Sequence, residues 1–152
     1  KAYGVEMDYE RAREIHSRFF SAYTGLREWH KNVRRMAAEG AKSVRTALGR
    51  IRWLPQGKEA KWPRFTALVN TPVQGGSADA LKQAMVDLAD KLPSSASIVS
   101  TVHDELIVEC ASDTAEEVKA LVETAMLDAV QTMFPGVRFE VEAGVCESWA
   151  EK

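Results

Sequence analysis

Three consecutive polar residues, His103-Asp104-Glu105, separate two apolar runs at 97–102 and 106–110. Such a pattern predicts a tight β-hairpin with acids at its tip. His-Asp is a poor choice for a two-residue turn, which favours Asn-Gly or Gly-X, and adjacent carboxylates repel each other. A local rule broken in this way points toward function. Carboxylate oxygens suit a hard divalent cation, which relieves the repulsion and leaves coordination positions open for substrate phosphates. The same triplet also reads as ordinary solvated turn polarity, and the residue types alone leave both readings open.

The elements around the triplet follow from periodicity and punctuation. Asp8 is a good N-cap for a helix to about Ala22, with Ala12, Ile15, Phe19 and Phe20 on one stripe. Leu26, Trp29, Val33 and Met36 repeat at helical spacing after Gly25, and Glu39-Gly40 supplies a stop. Residues 43–54 alternate about Gly49 as a hairpin, with Arg45, Arg50 and Arg52 at its surface. A helix at 64–70 is expected to break at Pro72, and a stronger one spans 74–92 through Ala78, Leu81, Met85 and Leu88. Gly75-Gly76 allow close backbone approach near that break. Asp113 or Thr114 caps a further helix to about Met133, Pro135-Gly136 turns the chain, and 138–145 alternates as a final strand. Helices and strands intermix without regular βαβ alternation, so the expected class is α+β with an antiparallel sheet.

At 152 residues and 45% hydrophobic content the chain is long enough for a real core, and disorder is not expected. Apolar runs fall far short of the ~20 residues of a membrane span, so the chain reads as soluble and cytoplasmic. Cys110 and Cys146 show no CxxC or Cys/His clustering, so they are expected to be buried free thiols. The first residue is Lys1 rather than Met, which suggests a piece of a longer protein. Charge is segregated. Residues 26–64 hold eleven Lys/Arg against three Asp/Glu, a net +8, and residues 101–152 hold three against twelve, a net −9. That separation suits a protein gripping a polyanion with one face while concentrating carboxylates elsewhere, although two merely solvated faces fit it as well.

Four blocks, in order, resemble one known family. Residues 101–109, Thr-Val-His-Asp-Glu-Leu-Ile-Val-Glu, resemble motif C of family A DNA polymerases. Residues 70–85, beginning Asn70-Thr71-Pro72-Val73-Gln74-Gly75 and including Asp79, Lys82 and Met85, are similar to that family's N-x-P-x-Q-G-x-x-A-D-x-x-K-x-A-M segment. Thr46 through Pro55 is similar to its T-x-x-G-R-x-R-x-x-P hairpin, and Gly144 through Trp149 to its closing G-x-x-x-x-W.

The resemblance implies the C-terminal part of the fingers at 1–95, followed by the C-terminal part of the palm at 96–152. It also implies template-directed DNA synthesis, a nucleotidyl transfer with primer–template DNA and deoxynucleoside triphosphates as partners. Two Mg²⁺ ions would be held by Asp104 and a second aspartate outside this sequence. His103 would approach the primer terminus, Glu105 would support the metal site, and Asn70 and Gln74 would meet the minor groove. Arg50 and Arg52 would contact phosphates. Asp79 and Lys82, three apart, are expected to form a helical ion pair. Thr66 stands where the family often has an arginine, leaving open whether Arg64 substitutes. Neither the fingers helix that binds triphosphate nor the D-Y-S-x-x-E block is present, and Asp8-Tyr9 reads as a helix start. The chain alone is therefore expected to be inactive, with an N-terminal portion or partner chain supplying the rest. Two alternatives are a non-catalytic primer–template binding module and, lower, a metal-dependent nuclease using Asp104 and Glu105.

Overall fold

The structure, a computed structural model, describes residues 7–56 and 64–151. Lys58, Glu59 and Lys61 of the basic segment therefore lie outside the described residues. The elements are α1 (Tyr9–Ala22), α2 (Thr24–Ala38), β1 (Ser43–Arg45), β2 (Ile51–Trp53), α3 (Arg64–Ala89), β3 (Ala96–Val102), β4 (Glu105–Cys110) and α4 (Ala115–Met133). Strands pair as β1-β2 and β3-β4, giving the expected α+β class. The chain divides into two compact units, 1–43 with 53–69 and 44–52 with 70–152.

In the first unit the helix signals act as read. Asp8 caps α1 by accepting from the Arg11 N–H at 2.7 Å. Gly40 stands beyond the α2 C-cap Glu39, with φ 76°. His30 lies among aromatic rings, 5.2 Å from Phe20 and 5.4 Å from Phe65 between centroids, and Val33, Leu54, Ala67 and Leu68 are buried.

The second unit holds the larger core. Leu88, Val118, Val122 and Ala125 are buried together, with Ala96, Ile98, Leu106, Val108 and Cys110 packed against them. The inward positions of β4 thus alternate at 106, 108 and 110, as a strand with one buried face requires. Ile98 pairs with Val108, but Ser100 pairs with Ile107, so Val99 is an extra residue at a bulge, and it is left exposed.

Several expectations are corrected. Pro72 does not interrupt its helix; α3 runs unbroken through it. Proline in a helix interior costs about 3 kcal/mol, but Leu68, Gly76, Ala80, Ala84 and Leu88 are buried at four-residue spacing on the stripe that includes Pro72. Burial of a large side chain contributes about 1.5–3 kcal/mol, so continuity of this stripe outweighs one missing hydrogen bond. No strand forms at 138–145. Phe139, Val141 and Ala143 are half-buried at alternate positions, yet none of the described strands forms a ladder with them. The cysteines are free as expected but not buried: Cys110 is half-buried and Cys146 exposed.

Candidate active site

Every residue expected to carry chemistry belongs to the second compact unit. The β3-β4 register pairs Val102 with Glu105, so the turn consists of His103 and Asp104 alone and Glu105 is already the first residue of β4. His103 adopts φ 55°, a left-handed conformation that Gly takes readily and that costs another residue about 1–2 kcal/mol. Its side chain and that of Asp104 are exposed, while Glu105 is half-buried. Strand alternation puts Glu105 on the face opposite Leu106 and Val108, away from the core. Asp104 accepts no hydrogen bond and forms no ion pair among the described residues. Its carboxylate is therefore available at the end of a hairpin whose inward residues pack against the core.

That donor set fits part of a hard-cation site. Mg²⁺ is commonly bound through one or two carboxylates, with waters and substrate phosphates completing the shell. No group of three or more His, Cys, Asp or Glu side chains able to hold a metal occurs among the described residues.

Asn70 and Gln74 are both exposed and lie one turn apart on α3, so their amides share a face. The β1-β2 hairpin docks beside that face. Arg52 donates from Nη1 to Thr71 Oγ1 at 3.3 Å, and a Cβ on Gly75 would overlap Thr46 Cγ2. Gly76 approaches Phe134 somewhat less tightly, 2.8 Å from an added Cβ to Cζ. The close approach read from the paired glycines is thus realised against the hairpin and against the residue that follows α4.

The expected Asp79–Lys82 pair is replaced by a different network. Asp79 is fully buried, at 0% exposure, and accepts from Thr46 Oγ1 through Oδ2. Its Oδ1 accepts from Arg50 Nε at 2.8 Å and lies 2.7 Å from Arg50 Nη2. Burial pulls the Asp79 carboxyl upward, but hydrogen bonds from Thr46 and Arg50, the Arg50 charge and the Leu48 N–H outweigh it and hold the carboxyl below its usual range. A residue three positions along the same helix could offer only a solvated pair, whereas the hairpin supplies donors to a carboxylate already out of water. The signal was present in the sequence: Asp79 continues the four-residue series Ala67, Thr71, Gly75, and a carboxylate on a buried stripe requires partners. Arg45, the third hairpin arginine, donates to the Gly49 carbonyl at 2.9 Å. Arg64, in the first unit, reaches the Pro55 carbonyl at 3.5 Å.

Comparison with known proteins adds an independent line. The family model described as DNA polymerase family A matches residues 2–151. DNA polymerase I of Aquifex aeolicus is 35% identical over 98% of this chain and 25% of its own length. The thermostable DNA polymerase I of Thermus filiformis is 38% identical over 95% of the chain and 18% of its length, and DNA polymerase I of Pseudomonas aeruginosa 35% identical over 99% and 17%. The chain thus spans a quarter or less of these relatives. Among solved structures, the POL domain of Pol1 from M. smegmatis, in complex with DNA primer–template and dNTP, matches with TM-score 0.68 and 27% identity over 81% of this chain and 23% of that one.

Proposed function

Because this chain belongs to DNA polymerase family A, we propose that it is the C-terminal fingers and palm portion, about 1–95 and 96–152, of an enzyme that adds deoxynucleotides to a primer 3′-hydroxyl. The observation that carries the reading is Asp104, exposed and unpaired among the described residues at a two-residue turn whose first member is strained. Strain of that kind persists where the surroundings hold it, and such residues cluster at functional sites.

Asp104 would hold Mg²⁺, with Glu105 beside it raising the local negative charge and a further carboxylate contributed from outside these 152 residues. Bound there, the metal supplies Lewis acidity toward the primer hydroxyl and the α-phosphate. The remaining work is positional. His103, at the same tip, approaches the primer terminus. Asn70 and Gln74 present amides that donate to minor-groove acceptors common to all base pairs, so they register the primer–template junction without reading its sequence. Arg50 and Arg52 belong to the same DNA-binding surface, where positive charge holds the backbone in register. Triphosphate-binding groups, like the second metal ligand, lie outside this chain.

The test is primer extension by the complete polymerase carrying Asp104→Ala. Loss of synthesis with intact folding and primer–template binding supports the assignment. Activity within a few-fold of the parent rejects it and favours a module that only holds primer–template.

A further inference from the structure

The buried Asp79 network is not needed for metal binding, yet it joins two elements of the proposed DNA surface. Thr46 and Arg50 lie at opposite ends of the β1-β2 connection, where the Thr46 N–H donates to the Arg50 carbonyl at 3.0 Å and the Arg50 N–H returns to Thr46 Oγ1 at 3.2 Å. Both side chains then converge on one carboxylate of α3. Thr46 is 8% exposed and its methyl sits where a side chain on Gly75 would have to go. One residue from Gly75 is Gln74, and one residue from Thr71, the acceptor of Arg52, is Asn70. The hairpin is therefore fixed to the side of α3 next to the amide face, and the guanidinium of Arg50 is turned into the protein along its Nε edge.

We infer that Asp79, Thr46 and Arg50 form a latch that positions Arg52 against the Asn70–Gln74 face, so that Arg50 acts through the latch as well as through the charge on its solvent-exposed edge. Arg50 is suited to this because its planar guanidinium brings Nε and Nη2 together onto Asp79 Oδ1 while Thr46 fills Oδ2, an arrangement a lysine cannot reproduce. Asp79 is a positioning residue: fully buried, it reaches no nucleic acid, and its effect passes through the hairpin. This inference rests on the proposed DNA-binding role of the hairpin.

Primer–template affinity of the complete polymerase, measured against salt, separates the possibilities. Arg52→Ala is expected to weaken binding and to lower the slope of log affinity against log salt by about one unit, the contribution of one phosphate contact. Asp79→Asn removes no positive charge, yet is expected to produce a similar loss, and Arg52→Ala/Asp79→Asn to be no weaker than Arg52→Ala alone. Arg50→Lys keeps the charge and breaks that arrangement, so it is expected to weaken binding by about threefold or more. Thr46→Val, isosteric and without the hydroxyl, makes the same test should Asp79→Asn fold poorly. Parent-like affinity in both Arg50→Lys and Thr46→Val, with a clear loss in Arg52→Ala, overturns the latch and leaves the hairpin's DNA contact standing. No change in affinity or slope for Arg52→Ala overturns the DNA contact and the latch's purpose together.

Discussion

Two hairpins of the second unit each bring an aspartate into play, and they use it in opposite ways. At the β3-β4 tip Asp104 is exposed, unpaired among the described residues and next to a left-handed His103. Where the β1-β2 hairpin meets α3, Asp79 is wholly buried and its oxygens are bonded to Thr46 and Arg50. A carboxylate with its acceptors filled from within the fold has nothing left to offer a ligand and contributes to architecture. One held outward at some conformational cost, with no partner among the described residues, is available for chemistry. Acidic character is the same in both, so it is environment that assigns the roles.

The contrast is sharpest in the response to truncation. Asp104→Ala is expected to lower the extension rate by about a thousandfold or more, in line with loss of several kcal/mol of charge stabilisation, without changing thermal stability. Glu105→Ala is expected to be milder. Stopped-flow primer extension alongside thermal melting checks both. Equal damage to stability and rate would erase the distinction between the two hairpins.

Damage at the other hairpin should appear first as stability. Gly75→Ala forces a methyl into Thr46 Cγ2, a branched and buried side chain with little room to yield, and is expected to cost about 1–3 kcal/mol in denaturant unfolding. A cost near zero would mean the hairpin lifts away from α3 easily.

Acid should also discriminate them. The Asp79 carboxyl is held below its usual range in the folded protein, so the folded state gains stability from its ionisation above about pH 4. That gain is lost as pH falls through the lowered value, because the unfolded chain takes up the proton first. Parent stability should therefore drop more steeply below about pH 4 than that of Asp79→Asn, measured by urea unfolding at several pH values. Identical profiles would mean the carboxylate is not held by its partners.

The smallest expected effect concerns fidelity. Gln74→Ala should reduce the ratio of matched to mismatched extension by a few-fold, because the amide helps correctly paired termini more than displaced ones. Equal loss at both termini would reduce Gln74 to general affinity.

Much of this was readable in the sequence because it depends on local rules. Helical spacing and the Asp8 cap located α1 and α2, and two apolar runs about a polar triplet located the β3-β4 hairpin, because a strand with one buried face must alternate. The departures come from tertiary context. Pro72 obeys no local rule once its helix carries a continuous buried stripe, and 138–145 alternates like a strand without a described neighbour to pair with. The Asp79 partners lie 29 and 33 residues away, so spacing along a helix pointed to Lys82 instead. Only the position of Asp79 on an inward stripe hinted at a partner from elsewhere.

Whether Asp104 binds metal is tested most directly by changing the ligand atom and the ion together. In the complete polymerase, Asp104→Cys should lose extension in Mg²⁺, which prefers oxygen, and regain a measurable part of it in Mn²⁺ or Cd²⁺, which accept thiolate better. The parent should show no such gain. An Asp104→Cys enzyme that works in Mg²⁺, or that responds to the exchange of ions just as the parent does, would contradict the assignment of Asp104 as a metal ligand.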